Sequence, residues 1–190
     1  MSDIQKKALS YADYQRFCEM PENRDRLFEF IDGEIIEKMP SFEPSELATE
    51  IIYFLKHYLK QNPIGRLTAP DGSYIMSDDD DPDVFIPDVG YISNERLGKT
   101  PEREVLVPPD LAVEIKSPTD RLRAIRRKAE KYLSYGTRMV WVIFPETKTV
   151  EVYDIESEDV QILGIEDILS GGNVLPGFTL AVKDIFPADM

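Results

Sequence analysis

Apolar residues recur at helical spacing through PSELATEIIYFLKHYLKQN, residues 44–62, where Leu47, Ile51, Phe54, Leu55 and Tyr58 define one stripe and Pro63 and Gly65 close the segment. A second stripe, Leu122, Ile125, Ala129 and Leu133, predicts a helix over 121–135 with Gly136 at its end. A shorter helix is expected over 10–20, with Ser10 as N-cap, Asp13 in the capping-box position and Pro21 as the stop. Strict alternation governs RLFEFIDGEIIEKMP, residues 26–40, on both sides of Asp32-Gly33, a dipeptide that favours a type I′ hairpin turn. On its second strand Glu34, Ile36 and Lys38 share one face, and Ile35, Glu37 and Met39 the other.

Shorter β-like runs follow at 66–69, 73–76 and 84–92, the last with Pro87 near its middle. A strand is expected over 111–117, and a strand pair over 138–144 and 149–155 joined at 145–148. The C-terminal third adds a short strand and the turn SGGNVLPGF. Strand, helix and strand alternate from 111 to 144, which predicts an α/β fold with one mixed central sheet flanked by helices. With no internal repeat and no dividing linker, residues 1–190 are expected to form one domain.

Composition narrows the class. Forty-two per cent hydrophobic residues suffice for a core, while a formal net charge of −14 opposes general attraction to a polyanion. A nucleic-acid partner therefore requires a local basic surface or a metal ion. A single cysteine, Cys18, fits a reducing compartment, and the N-terminus lacks an apolar run of signal-peptide length. A cytoplasmic protein with no membrane partner is expected.

The candidate chemistry lies in LAVEIKSPTD, residues 111–120. An extended strand puts Ala112, Glu114 and Lys116 on one face and Leu111, Val113 and Ile115 on the other. The expected arrangement is a metal-binding carboxylate beside a fixed positive charge, both facing outward. Asp88, straight after Pro87, offers a second acid, and Glu34 on the hairpin a third. A hard divalent ion takes one or two carboxylates together with waters and substrate phosphate. The basic run Arg121, Arg123, Arg126, Arg127, Lys128, Lys131 and Arg138, interrupted by one acid, Glu130, could present a surface to a phosphate backbone.

Pro87-Asp88 followed by Glu114-Ile115-Lys116 resembles the signature of the PD-(D/E)XK nuclease superfamily. The wider blocks FEFIDGEIIEKMP, IPDVGYIS, PDLAVEIKSPTD, KAEKYLSYGTRMVWVI and LPGFTL, spread from Tyr11 to Phe186, resemble the Uma family of restriction-endonuclease-like proteins. The resemblance implies a restriction-endonuclease-like mixed sheet with an added N-terminal hairpin and C-terminal strands. It further implies Mg²⁺- or Mn²⁺-dependent hydrolysis of phosphodiester bonds in DNA by a homodimer. Asp88, Glu114 and the Ile115 carbonyl would hold the metal, Glu34 would be the accompanying acid, and Lys116 would orient the attacking water or offset charge on the phosphate. Many members carry an apolar residue where this chain has Lys116. Lys128 and Tyr132 resemble the Q-x-x-x-Y element of related nucleases with lysine in place of glutamine. With Arg121 and Arg127 they are the expected nucleic-acid contacts.

Other readings stand beside these. Glu114 and Lys116 also suit an in-sheet salt pair, and the basic helix a solvated face. The same fold could serve as a non-catalytic nucleic-acid-binding or interaction module. SDDDDPD, residues 77–83, lacks the glycine and distal glutamate of an EF-hand loop and reads as a solvated acidic loop. His57, the only histidine, sits mid-helix, which excludes histidine-metal and Ser-His-Asp chemistry.

Overall fold

The computed structural model describes residues 8–102 and 104–187. Residues 1–7, part of the stretch read above for a leader, lie outside the described residues. Helix α1 (Tyr11–Glu19) opens on the reciprocal capping box: the Asp13 N–H donates to the Ser10 hydroxyl, and the Ser10 N–H donates to the Asp13 carboxylate at 3.0 Å. Strands β1 (Phe28–Ile31) and β2 (Glu34–Glu37) form the hairpin. Asp32 and Gly33 both have positive φ, 53° and 75°, as a type I′ turn requires.

Helix α2 (Phe42–Gln61) starts before the apolar stripe does. Pro44 falls within its first turn, where a backbone N–H would lack an intrahelical acceptor anyway. Strands β3 (Gly65–Thr68), β4 (Tyr74–Ile75), β5 (Val84–Phe85) and β6 (Val89–Ser93) lead to the short helix α3 (Asn94–Leu97). Then come β7 (Leu111–Ile115), α4 (Leu122–Ser134), β8 (Met139–Phe144) and β9 (Thr149–Asp154), followed by β10 (Gln161–Leu163), β11 (Ile168–Ser170) and β12 (Thr179–Ala181).

The main sheet has six strands in the order β10-β9-β8-β7-β6-β3. Strands β7 and β8 run parallel, with α4 as their crossover, and the other pairs are antiparallel. A second sheet has the order β2-β1-β5-β4, and β11 pairs with β12 around the glycine-rich turn.

Two strand expectations are corrected. The segment 84–92 is not one strand: β5 belongs to the four-stranded sheet and β6 to the six-stranded sheet, with Pro87 between them. Proline has no N–H to give a ladder, so the break falls there; the six-stranded sheet is the mixed central sheet expected, and the added hairpin belongs to a four-stranded sheet of its own. Strand β7 ends at Ile115 rather than 117. The Lys116 N–H still donates to the Ile143 carbonyl at 2.9 Å, but Pro118 cannot extend the ladder.

The core is divided by the six-stranded sheet. Leu47, Ile51 and Leu55 of α2 pack with Leu111, Val113, Ile115, Trp141 and Ile143. Ile125, Ala129 and Tyr132 of α4 pack with Ala112, Val140, Val142 and Phe85. The stripe expected on α4 is thus rotated: Tyr132 is buried, while Leu122 is exposed. Gly90 on β6 sits under Tyr74, whose hydroxyl a Cβ at that position would strike. That close approach brings the smaller sheet against the larger one, beside the break at Pro87.

Candidate active site

At that junction three carboxylates converge. Glu29, between the buried Phe28 and Phe30, is itself only 4% exposed and accepts the Ile86 N–H at 2.7 Å. Asp88 spans the two sheets. Its N–H donates to the Val113 carbonyl at 3.0 Å, and its Oδ2 accepts the Ile115 N–H at 2.7 Å. Glu114, next to last in β7, points under α4 and is 5% exposed.

Two lysines offset most of this charge. Lys128 Nζ lies 2.7 Å from Glu29 Oε1 and 2.8 Å from Glu114 Oε1. One helical turn on, the Tyr132 hydroxyl donates to the same Glu114 oxygen at 2.8 Å. Lys38, just past β2, donates from Nζ to Asp88 Oδ1 at 2.8 Å and to the Ile86 carbonyl at 2.7 Å. Unpaired burial of these charges would cost several kcal/mol each, and the pairing accounts for their presence in the interior.

Burial pushes the Glu114 carboxyl up to about 6; Lys128 and Lys38 oppose that rise, and the neighbouring Asp88 and Glu29 add to it. Burial pulls Lys128 down, but Glu114 and Glu29 outweigh it and hold the ammonium well above the usual lysine range. Lys38 is likewise raised: burial lowers it and Lys128 repels it, but Glu114, Asp88 and Glu29 prevail. Tyr132 is held protonated by burial and by its acceptor Glu114.

These groups line a cleft of about 1110 Å³. Its floor includes Asp88, Glu114, Ile115 and Lys128, and Glu34 lies on its exposed rim. Arg121, Arg123 and Arg127 line its α4 wall, with Met39 and Pro40 opposite.

Of the residues expected at the site, Asp88, Glu114 and Ile115 come together, and Glu34 borders the same space. Lys116 is directed elsewhere: its Nζ meets Glu146 Oε1 and the Ser117 carbonyl, both at 3.3 Å, and it does not line the cleft. The outward placement expected for Glu114 is corrected as well, since α4 covers it. Position 116 falls beyond the end of β7, so the alternation that would align its side chain with Glu114 no longer applies. Lys128 supplies the positive charge beside Glu114 instead.

The expectation of a basic helical surface is also revised. Arg126 pairs with Glu151, Arg127 with Asp32, Lys128 with Glu29 and Glu114, Lys131 with Asp32 and Asp83, and Arg138 with Asp110. Among the described residues only Arg121 and Arg123 of that run have no ion-pair partner. Tyr132 is buried beneath the cleft without lining it, and Lys128 lines the cleft with its ammonium tied to Glu29 and Glu114.

Glu29 is the acid that the sequence reading missed. Its signal is the one seen at Glu114: a lone carboxylate inside an apolar strand, FEFI against LAVEI. Lys38 carries no comparable local signal, because its partner lies 50 residues away.

Residues 11–183 match the Uma2 family, described as "Putative restriction endonuclease". The chain belongs to this family. Its fold is similar to the crystal structure of a putative nuclease belonging to DUF820 from Anabaena variabilis, with a TM-score of 0.78 and 22% sequence identity over 94% of this chain and 97% of that one. The family member thus has a restriction-endonuclease-like mixed α/β fold. A comparison with curated protein sequences finds no match. No helix among the described residues is long and apolar enough to cross a membrane.

The donors suit a hard cation in type: Asp88, Glu114 and Ile115 line one cleft, with Asp88 Oδ1 held by Lys38 and Glu114 Oε1 by Lys128 and Tyr132. Among the described residues no group of three or more His, Cys, Asp or Glu side chains forms a protein-only cage. Mg²⁺ does not require one, since waters and substrate phosphate complete its shell. Asp88 and Glu114 are thus of the donor type such an ion takes.

Proposed function

We propose that this nuclease-family protein is a Mg²⁺- or Mn²⁺-dependent endonuclease that hydrolyses phosphodiester bonds in DNA at the Asp88–Glu114 cleft. The observation that carries the reading is the meeting of Asp88 and Glu114 at the junction of two sheets, with the Lys128 ammonium beside them. Asp88, Glu114 and the Ile115 carbonyl would hold the ion, which when bound supplies Lewis-acid polarisation of the phosphate and a more acidic water.

The chain's own groups do the rest. Tyr132 and Lys128 fix the Glu114 carboxylate through Oε1. The Ile115 N–H fixes Asp88 through Oδ2. Lys128 takes the role that the resemblance implies for Lys116, offsetting negative charge at the phosphate. Arg121 and Arg123, on the cleft wall and without an acidic partner among the described residues, hold the flanking phosphates. Glu34 stands at the entrance, where it shapes the approach to the floor.

One observation favours a second reading, a non-catalytic nucleic-acid-binding module: two internal ammonium groups already offset the carboxylates. A cleavage assay on mixed DNA substrates with Mg²⁺ or Mn²⁺ separates the two. Ion-dependent cutting lost in Asp88→Ala and Glu114→Ala is expected. Salt-sensitive binding without cutting would establish the module instead. The homodimer implied by the resemblance is read by light scattering of the same sample.

A further inference from the structure

We propose that Lys38 is the resident counter-ion of Asp88 and competes with a divalent cation for that carboxylate; the proposal rests on the metal-dependent reading above. The two oxygens of Asp88 differ. Oδ2 is committed to the Ile115 N–H at 2.7 Å, a contact that ties the acid to the end of β7. Oδ1 takes the Lys38 ammonium at 2.8 Å. A cation entering the cleft would meet Asp88 through the oxygen that Lys38 now occupies. An ammonium and a divalent ion repel each other at that range, so occupancy by one disfavours the other.

The two cleft lysines are not equivalent. Lys128 is anchored on a long helix, bridges two carboxylates, and sits 5.9 Å from the ring centres of Phe85 and Tyr132. Its withdrawal would leave Glu29 and Glu114 both unpaired in the interior. Lys38 bridges one carboxylate and one carbonyl, and its side chain is 21% exposed beside the outward Met39. Its backbone is held by a 2.9 Å bond from its N–H to the Leu27 carbonyl, but its four-carbon stem can carry the head away from Asp88 into the cleft. Lys38 is therefore the exchangeable cation and Lys128 the permanent one. Its presence keeps Asp88 compensated without metal and sets a threshold for ion binding.

The test is a calorimetric titration of the full chain with Mn²⁺, paired with melting temperatures with and without the ion. Lys38→Met keeps most of the stem and removes the charge, and Lys38→Gln is the second variant should methionine prevent folding. Each is expected to bind Mn²⁺ about tenfold or more tightly than wild type, with a larger Mn²⁺-induced rise in melting temperature. Adding Asp88→Asn to either is expected to abolish the gain. Equal or weaker binding by the folded Lys38 variants, or a gain that survives Asp88→Asn, overturns the role of Lys38 and leaves the metal site standing. No binding by any of the proteins at millimolar Mn²⁺ overturns the metal-dependent reading, and the role of Lys38 with it.

Discussion

The six-stranded sheet is covered on both faces, by different chemistry. Toward α2 lie Leu111, Val113, Ile115, Trp141 and Ile143, all at most 3% exposed and all apolar. Toward α4 the strands β7, β8 and β9 present Ala112 and Val142 together with Glu114 and Glu151, and the register puts the two glutamates in one row across Val142. Helix α4 answers that row with Lys128 over Glu114 and Arg126 over Glu151, the latter also accepting the Tyr153 hydroxyl at 2.8 Å. An apolar face is held by area and shape, and is indifferent to pH and ions. A charged face is held by specific partners, and removing one partner costs more than removing both. The proposed chemistry uses the second face, where a carboxylate is held under α4, oriented and beside a cleft.

This contrast can be broken in several ways. The largest effect expected is on the charged face: Lys128→Met should cost about 3–5 kcal/mol in a denaturant titration, because Glu29 and Glu114 lose their shared cation. Adding Glu114→Gln should recover part of that loss. If the double variant is no better than the single one, burial of the charge is not what Lys128 offsets. On the apolar face, Ile51→Ala should cost about 2–4 kcal/mol through a cavity under α2, with an unchanged dependence of stability on pH.

The pH response itself comes next. Glu114 has a folded value near 6 against an ordinary 4.5, so the folded state binds its proton more tightly than the unfolded state. The contribution of Glu114 is fully present below pH 4.5 and is lost as pH rises through 6, a fall of roughly 2 kcal/mol in metal-free protein. Comparing wild type with Glu114→Gln isolates that slope, which should vanish in the variant. The smallest effect is expected for Lys116→Ala, below about 1 kcal/mol, since its partner Glu146 is 68% exposed.

These differences follow what a sequence can carry locally. The α1 capping box, the Asp32-Gly33 turn and the stripe of α2 depend on neighbours within four residues, and all three form as read. Asp88 and Glu114 were legible because a carboxylate inside or at the entry to an apolar strand is conspicuous. The direction of Lys116 was not, because it depends on β7 ending at Ile115 ahead of Pro118. Glu29 was passed over although FEFI shows the same pattern as LAVEI. Residues 84–92 read as one strand because their apolar run continues on both sides of Pro87, whereas the chain changes sheets there. The basic helix looked available to a polyanion because its acids, Glu29, Asp32, Asp83, Glu114 and Glu151, come from distant segments.

The central claim is that the reactive end of the molecule is the Asp88–Glu114 cleft, with its positive charge drawn from α4 rather than from Lys116. The most direct measurement is the rate of DNA cleavage in Mg²⁺ by wild type, Asp88→Asn and Lys116→Ala, each checked for folding. The account predicts a loss on the order of a hundredfold or more for Asp88→Asn and a rate within a few-fold of wild type for Lys116→Ala. A wild type that cuts none of the substrates, an Asp88→Asn protein that cuts at the wild-type rate, or a Lys116→Ala protein that cuts nothing would contradict it.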